Sequence, residues 1–306
     1  LLPRTNCQEC GEENCMAFAT KLVNREKTIQ ECPPLLQDDA KDAYMKLWAL
    51  LKPPVKEITI GAAPNEVHLG GKDVLYRHEL TYVNPTAIAL DITDEMTADD
   101  IIQRTQSVEA FSYNYIGMNL TLDMIAIRST SNNPQRFATA VKTYSENSKL
   151  PAILCSLDPE IIENGLITIG KSRPLIYAAT KDNWQEMADL ALMYHCPLAL
   201  SAPGDLNTLK SLAQTLIEYG VEDLVLDPGT YANDDLAATV TNFTMLRKAA
   251  IRENDEILGF PLIGIPLIAW LNSTDAEEVA MWHETWLASM LITRFADVLI
   301  MHSREG

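Results

Sequence analysis

From about residue 86 to the end, short apolar runs alternate with amphipathic stretches eight times over. The runs are 87–91, 124–128, 152–156, 175–179, 198–202, 224–227, 262–268 and 298–301. Between them lie stretches with helical spacing: 98–109, 134–146, 159–164, 183–194, 206–219, 234–253 and 276–293. A strand that reads as a continuous apolar run is buried on both faces, as in a parallel sheet flanked by helices. Eight such β/α units in about 220 residues predict a (β/α)8 TIM barrel rather than a doubly wound open sheet. A closed barrel normally carries a helix after its eighth strand, and here the sequence ends soon after that strand. With no initiator Met at position 1 either, the chain reads as a piece of a longer protein.

Ahead of this rhythm the sequence divides twice. Residues 1–54 hold four of the six cysteines and two helical patterns, Met16–Val23 and Asp38–Leu51, the second with Tyr44, Leu47, Trp48 and Leu51 on one face. Pro53-Pro54 ends that pattern and marks a boundary. Residues 55–85 read as a strand-rich lead-in, with runs at 57–61, 66–69 and 74–76, and with Gly70-Gly71 as a hairpin turn. The barrel takes 86–306.

Charge and hydropathy exclude two classes of function. With 42 acidic against 24 basic residues the net charge is −18, which repels nucleic-acid phosphates. No apolar run reaches the roughly 18 residues of a membrane span. The most apolar stretch, 260–271, is broken by Pro261, Gly264 and Pro266. No secretory signal is visible, so the expected location is the cytoplasm.

Cys7, Cys10, Cys15 and Cys32 follow the spacing C-x2-C-x4-C-x16-C. Clustering without a secretory context favours metal or cluster binding over disulfides. Four thiolates suit a [4Fe–4S] cube. Two- and four-residue gaps let one loop reach three iron corners, and the fourth ligand returns after a helix of about four turns. Gly11 permits a tight turn. Cys15 opens the helix, where free N–H groups and the positive dipole end favour an anionic cluster. Pro33-Pro34 stiffens the exit from Cys32. A structural zinc site is the rival reading, and disulfides or free thiols the third. Glu9, Glu12 and Glu13 around the loop resist added electrons, or are simply a solvated face. Cys155 and Cys196 sit alone in apolar surroundings and read as buried small hydrophobes.

The segment from Leu2 through Cys15 to Ala19, with Glu31-Cys-Pro-Pro-Leu35, resembles the large subunit of the corrinoid iron–sulfur protein, known in archaea as the gamma subunit of the acetyl-CoA decarbonylase/synthase complex. A second block agrees: Gly70-Gly-Lys-Asp-Val-Leu-Tyr-Arg-His-Glu79, followed by Asn84-Pro85. The resemblance implies a small helical [4Fe–4S] domain ligated by Cys7, Cys10, Cys15 and Cys32, then a TIM barrel, then a C-terminal corrinoid domain absent from this sequence. It implies a methyl-carrier and methyltransferase subunit in one-carbon metabolism and methanogenesis. In that family the cluster restores reduced corrinoid cobalt, which carries a methyl group from a methyltetrahydropterin to the nickel site of acetyl-CoA synthase. The implied partners are the small subunit in a heterodimer, acetyl-CoA synthase, carbon monoxide dehydrogenase and the methyltetrahydropterin methyltransferase.

Barrel sites gather at the C-terminal ends of strands. Polar residues there are Asp91, Asp94, Arg128, Ser129, Ser156, Thr180, Ser201, Asp227, Asn272 and His302. Asp227-Pro-Gly-Thr230 is the most site-like, although loop and helix capping explain such residues more simply. No catalytic side chain is assigned. Trp270, Trp282 and Trp286 read as core or interface anchors. The alternative function is a barrel methyltransferase acting directly on a pterin, with the cluster as an accessory.

Overall fold

The structure, a computed structural model, describes residues 1–306 apart from 25, 77, 81, 232–234, 272–275 and 304–306. The chain forms two compact units, Leu1–Pro53 and Pro54–Gly306.

The first unit contains α1 (Cys15–Val23), three short 3-10 turns at 29–31, 33–36 and 38–40, and α2 (Lys41–Leu51). Its core is small: Phe18, Leu22, Ile29, Cys32 and Leu35, with Tyr44, Leu47 and Leu51 packed on it. The return to Cys32 is not one long helix. Helix α1 has only nine residues and ends at Asn24. A Thr28–Glu31 capping box then starts the turn that delivers Cys32. The expected helix over 38–51 begins as a 3-10 turn and becomes α-helical at Lys41.

The second unit opens with an antiparallel hairpin, β1 (Glu57–Ala62) and β2 (Asn65–Gly70). Its turn lies at Ala63-Pro64, not at Gly70-Gly71, and 74–76 forms no strand. Gly70 (φ +77°) instead leads the chain past Lys56, whose carbonyl lies 2.3 Å from where a Cβ would stand. Only glycine tolerates both conditions.

The barrel strands are β3 (Ala87–Thr93), β6 (Met124–Arg128), β7 (Ala152–Cys155), β8 (Leu175–Ala179), β9 (Leu198–Ser201), β10 (Leu224–Asp227), β11 (Ile263–Gly264) and β12 (Val298–Met301). They pair in parallel in the order β10-β9-β8-β7-β6-β3-β12-β11. The ring closes through one bridge, Leu226 to Leu262, with Leu226 N donating to Pro261 O at 2.8 Å. Strand seven is thus much shorter than 262–268. Pro261 and Pro266 have no N–H for a ladder, and by Ile268 the chain is helical.

The crossover helices are α3 (Ala98–Glu109), α4 (Pro134–Asn147), α5 (Pro159–Ile169), α6 (Trp184–Tyr194), α7 (Leu206–Tyr219), α8 (Leu236–Arg252), the single turn α9 (Ile268–Leu271) and α10 (Glu277–Thr293). Four of their starts follow capping chemistry. The side chains of Thr97, Asn133, Asp158 and Asp205 each accept first-turn N–H groups of α3, α4, α5 and α7. Helix α5 runs on to Ile169, past Gly165, which packs on Phe137 and Leu154. Between α3 and β6 stands an antiparallel hairpin that the β/α rhythm does not include, β4 (Ser112–Tyr115) and β5 (Met118–Thr121).

At the N-terminal end of β12, Asp297 is buried between Lys72 Nζ at 2.6 Å and Arg247 Nη2 at 2.6 Å, and it accepts Leu262 N at 2.7 Å. Burial pushes this carboxyl up, but Lys72, Arg247 and the Leu262 N–H together hold it below the ordinary carboxylate value.

Candidate functional site

Two places gather chemistry-bearing residues, and each is described within its own unit. In the first unit the loop before α1 carries Cys7 and Cys10, Cys15 opens α1, and Cys32 belongs to the apolar core. Cys7 is exposed, Cys10 and Cys15 are half-buried, and Cys32 is buried. Cys7, Cys10 and Cys15 all lie near enough to act electrostatically on Cys32. Burial pushes the Cys32 thiol up, and negative charge on Cys10, Cys15 and Cys7 adds to this, against the Leu35 N–H. The loop needs left-handed backbone at Arg4, Asn6, Gln8 and Gly11, with φ between +50° and +79°. Gly11 adopts it at no steric expense. Among the described residues, no group of three or more His, Cys, Asp or Glu stands ready to hold a metal ion.

Two expectations about this loop need correction. The N–H groups at the start of α1 are not free: Cys15 N donates to Asn6 Oδ1 at 3.0 Å, and Met16 N and Ala17 N donate to Asn14 Oδ1 at 3.0 and 2.9 Å. The helix dipole still points its positive end at Cys15, but these donors serve the loop. Nor is the acidic surround uncompensated, because Glu12 pairs with Lys21 at 2.9 Å and Lys27 at 3.7 Å. Lys27 also donates to Cys10 O at 2.7 Å and Glu31 at 3.0 Å, tying the cysteine loop to the turn before Cys32. Nothing in the sequence singled out Lys27, Asn6 or Asn14, because each acts through tertiary proximity.

In the second unit the C-terminal ends of the strands divide into three networks. Asp91, 1% exposed, is held by Arg128 (Nη2 2.7 Å, Nε 2.8 Å), Arg104 Nη2 (2.9 Å) and His302 Nδ1 (2.7 Å). Burial pushes its carboxyl up, while His302, Arg128 and Arg104 hold it below the ordinary value. Trp270 packs on His302 with ring centres 4.7 Å apart and donates to Glu284 at 2.8 Å. Glu284 also accepts His302 N and Ser303 N, at 2.5 and 2.8 Å. A cavity of about 340 Å³ beside them is lined by Arg104, Trp270, Glu277, Glu278, Met281, His302 and Ser303. Asp94 accepts bonds from Ser129, Thr130 and Ser131 and caps that loop. Asp227, 2% exposed, accepts Tyr177 Oη at 2.7 Å, Ser201 Oγ at 2.9 Å and Gly229 N at 2.9 Å. Burial pushes Asp227 up despite these three donors.

Ser156 and Thr180 serve turns: Ser156 Oγ accepts Asp158 N at 3.1 Å, and Thr180 bonds Asn183. Asn272 lies outside the described residues. Arg104, Tyr177 and Glu284 were not singled out from the sequence. Arg104 carried one signal, a cation three residues after Ile101 on a helix whose Ile101, Thr105 and Val108 are buried. Cys155 and Cys196 are buried, as expected, and burial pushes each thiol up to about 12.

This architecture defines a closed parallel (β/α)8 barrel protein that also carries a four-cysteine module. Solved structures show the same barrel at low identity. Dihydropteroate synthase from Xanthomonas albilineans superposes with a TM-score of 0.55 at 13% identity, covering 80% of this chain and 93% of that one. The enzyme from Thermus thermophilus gives 0.53 at 15%, covering 80% and 94%. These likenesses carry the fold alone. A family model for the CO dehydrogenase/acetyl-CoA synthase delta subunit matches residues 57–306, and an Fe–S cluster family model matches residues 2–34. Acetyl-CoA decarbonylase/synthase complex subunit gamma 1 of Methanosarcina mazei is 43% identical over 99% of this chain, and subunit gamma 2 of Methanosarcina thermophila is 45% identical over 99%. The corresponding subunit of Methanothermobacter thermautotrophicus is 42% identical over 100%. The chain belongs to the acetyl-CoA decarbonylase/synthase gamma-subunit family. It spans 65% of the length of each of these relatives.

Proposed function

We propose that this chain is the electron-donating part of a methyl-carrying corrinoid protein's large subunit, with Cys7, Cys10, Cys15 and Cys32 as ligands of a [4Fe–4S] cluster. The bound cube supplies low-potential electrons that keep a corrinoid cobalt competent to carry a methyl group from a methyltetrahydropterin to the nickel site of acetyl-CoA synthase. No residue of this chain is assigned to the corrinoid, whose place in this reading is the part of the relatives' length that the chain does not span. The partners in this reading are a small barrel subunit in a heterodimer, acetyl-CoA synthase, carbon monoxide dehydrogenase and a pterin methyltransferase, all in the cytoplasm. Among the described residues no helix is long and apolar enough to cross a membrane.

The observation that carries the reading is Cys32. It is a thiol built into the apolar core of a 53-residue unit, and half-buried Cys10 of the loop packs against that same core. A core of five buried residues is small for independent stability, and natural modules below roughly 70 residues commonly add a metal or disulfides. The protein's own contribution is positional. Asn6 and Asn14 brace the loop, and Lys27 clamps it to the turn that presents Cys32. Glu12 is neutralised locally by Lys21 and Lys27.

Anaerobically prepared full-length protein is expected to hold about four iron and four sulfide per chain, with a cubane EPR signal on reduction. Cys32→Ser is expected to lose the intact cube, and Cys155→Ser to keep it. Zinc in place of iron and sulfide, or a full cube in Cys32→Ser, overturns the assignment. The alternative, direct pterin chemistry on the barrel, needs an open titratable group at the strand ends. Asp227 is enclosed, with three donors already on its oxygens, and nothing in its surroundings favours that reading.

A further inference from the structure

We propose that the β4–β5 hairpin is a docking arm that lays its apolar face into an uncharged groove of a different protein, one whose groove is rimmed by lysine and arginine. This rests on the reading of the chain as an assembly subunit. The α3–β6 connection spans residues 110–123, where helix-to-strand links in such folds run to about 2–6 residues. The added length makes a two-stranded hairpin whose eight strand residues are all exposed. An isolated hairpin of this size is at best marginal in water.

The pairing register sorts its side chains by face. Tyr113 stands opposite Leu120 and Tyr115 opposite Met118, so these four share one face. Ser112 opposite Thr121 and Asn114 opposite Asn119 occupy the other, where the two asparagines bond at 2.7 Å. The hairpin is therefore amphipathic, as strands are when one face packs on a core. Here none of the four belongs to the barrel core or packs against it among the described residues: they are 46–64% exposed, and Ile116 at the tip is 84% exposed. Tyrosine and methionine are enriched at protein interfaces.

Charge selects the occupant. Residues 110–122 contain no charged side chain, in a chain where 22% of residues are charged. An uncharged arm suits the desolvated centre of an interface, where charged residues are depleted. A second copy of the chain would bring two bodies of charge −18 together and be repelled. A basic rim around an apolar groove is instead steered toward this protein and then met by the arm.

The test uses the full-length protein and the small barrel subunit of the proposed heterodimer. Tyr113→Lys with Met118→Lys charges the apolar face, and Asn114→Lys with Asn119→Lys places the same charge on the polar face. The first pair is expected to raise Kd roughly 10- to 100-fold through faster dissociation, and the second to change it less than about threefold. Circular dichroism and melting of both variants are expected to match the parent, since the arm stands clear of the barrel core. Amides 112–121 are expected to exchange fast in the isolated chain and slowly in the complex. If the complex forms and those amides stay fast, or the two pairs of variants behave alike, the arm is overturned while the assembly reading stands. If the parent protein forms no complex, both fall. Amide protection that grows with the concentration of the chain alone replaces the basic partner with a second copy and overturns the proposal.

Discussion

Asp297→Asn removes one negative charge from a buried place that holds two positive ones. Lys72, Asp297 and Arg247 are each 3% exposed or less, and Arg247 Nε and Nη1 already have no partner among the described residues. Besides Asp297, the guanidinium reaches one acceptor among the described residues, Phe295 O at 3.3 Å from Nη2. Breaking a buried ion pair by removing one partner costs about 3–5 kcal/mol, because the remaining charge stays desolvated. For a body of this size each kcal/mol moves Tm by roughly 2–4 °C, which places the expected drop at about 6–20 °C. Differential scanning fluorimetry on the variant and its parent at neutral pH reads this directly. Adding Lys72→Met to Asp297→Asn leaves one cation instead of two and is expected to recover part of the loss. The pH dependence has a definite sign. Asp297 is held below its ordinary value in the folded state, so its contribution is present above the unfolded carboxylate pKa, about 3.9, and is lost as pH falls through the folded value. A drop under 2 °C at neutral pH (well below the ~6 °C floor), or a difference that widens as pH is lowered, refutes the argument.

Glu284→Gln keeps one acceptor but turns an amide N–H either toward His302 N or toward the N–H groups of Trp270 and Ser303. It is expected to destabilise by about 1–3 kcal/mol in urea melts and to shift the tryptophan emission. Asp94→Asn similarly weakens the cap on the Ser129–Ser131 loop, by about 1–3 kcal/mol at neutral pH. Because the bonded Asp94 carboxyl titrates below its ordinary value, the gap between variant and parent is expected to close as pH falls through that lowered value. Asn14→Ala removes the N-cap of α1 and is expected to cost about 0.5–2 kcal/mol. Iron release to a chelator, timed against the parent protein, is the assay, and an unchanged rate counts against the loop-bracing role of Asn14.

The barrel was legible because its strands are buried on both faces and its helices carry apolar residues at helical spacing. Strands 124–128, 175–179, 224–227 and 298–301 and helices 98–109 and 206–219 fall where the pattern placed them. What failed did so for local reasons. Strand seven collapsed to two residues because apolar character in 262–268 says nothing about the ladder hydrogen bonds that two prolines cannot make. The β1–β2 turn was misplaced because Gly70-Gly71 looks like a turn pair, whereas Gly70 is required by the nearness of Lys56. The β4–β5 hairpin was missed although its residues alternate polar and apolar, because each strand is only four residues long and too short for a firm period. Among candidate site residues, Asp91, Arg128 and His302 were visible as strand-end polar groups. That they share one network with Arg104, drawn from a helix, depends on packing that no local spacing encodes.

The single bridge between Leu226 and Leu262 makes the ring mechanically unequal around its circumference. Every other junction is a ladder of two or more residue pairs, so thermal opening of the cylinder is expected at this one seam, turning a closed wall into a curved sheet with two temporary free margins. Protons on Leu226 and its neighbours then trade with solvent before those of β3 and β6, on the far side, and any device that stiffens the protein acts most efficiently where Pro261 lets the circle part.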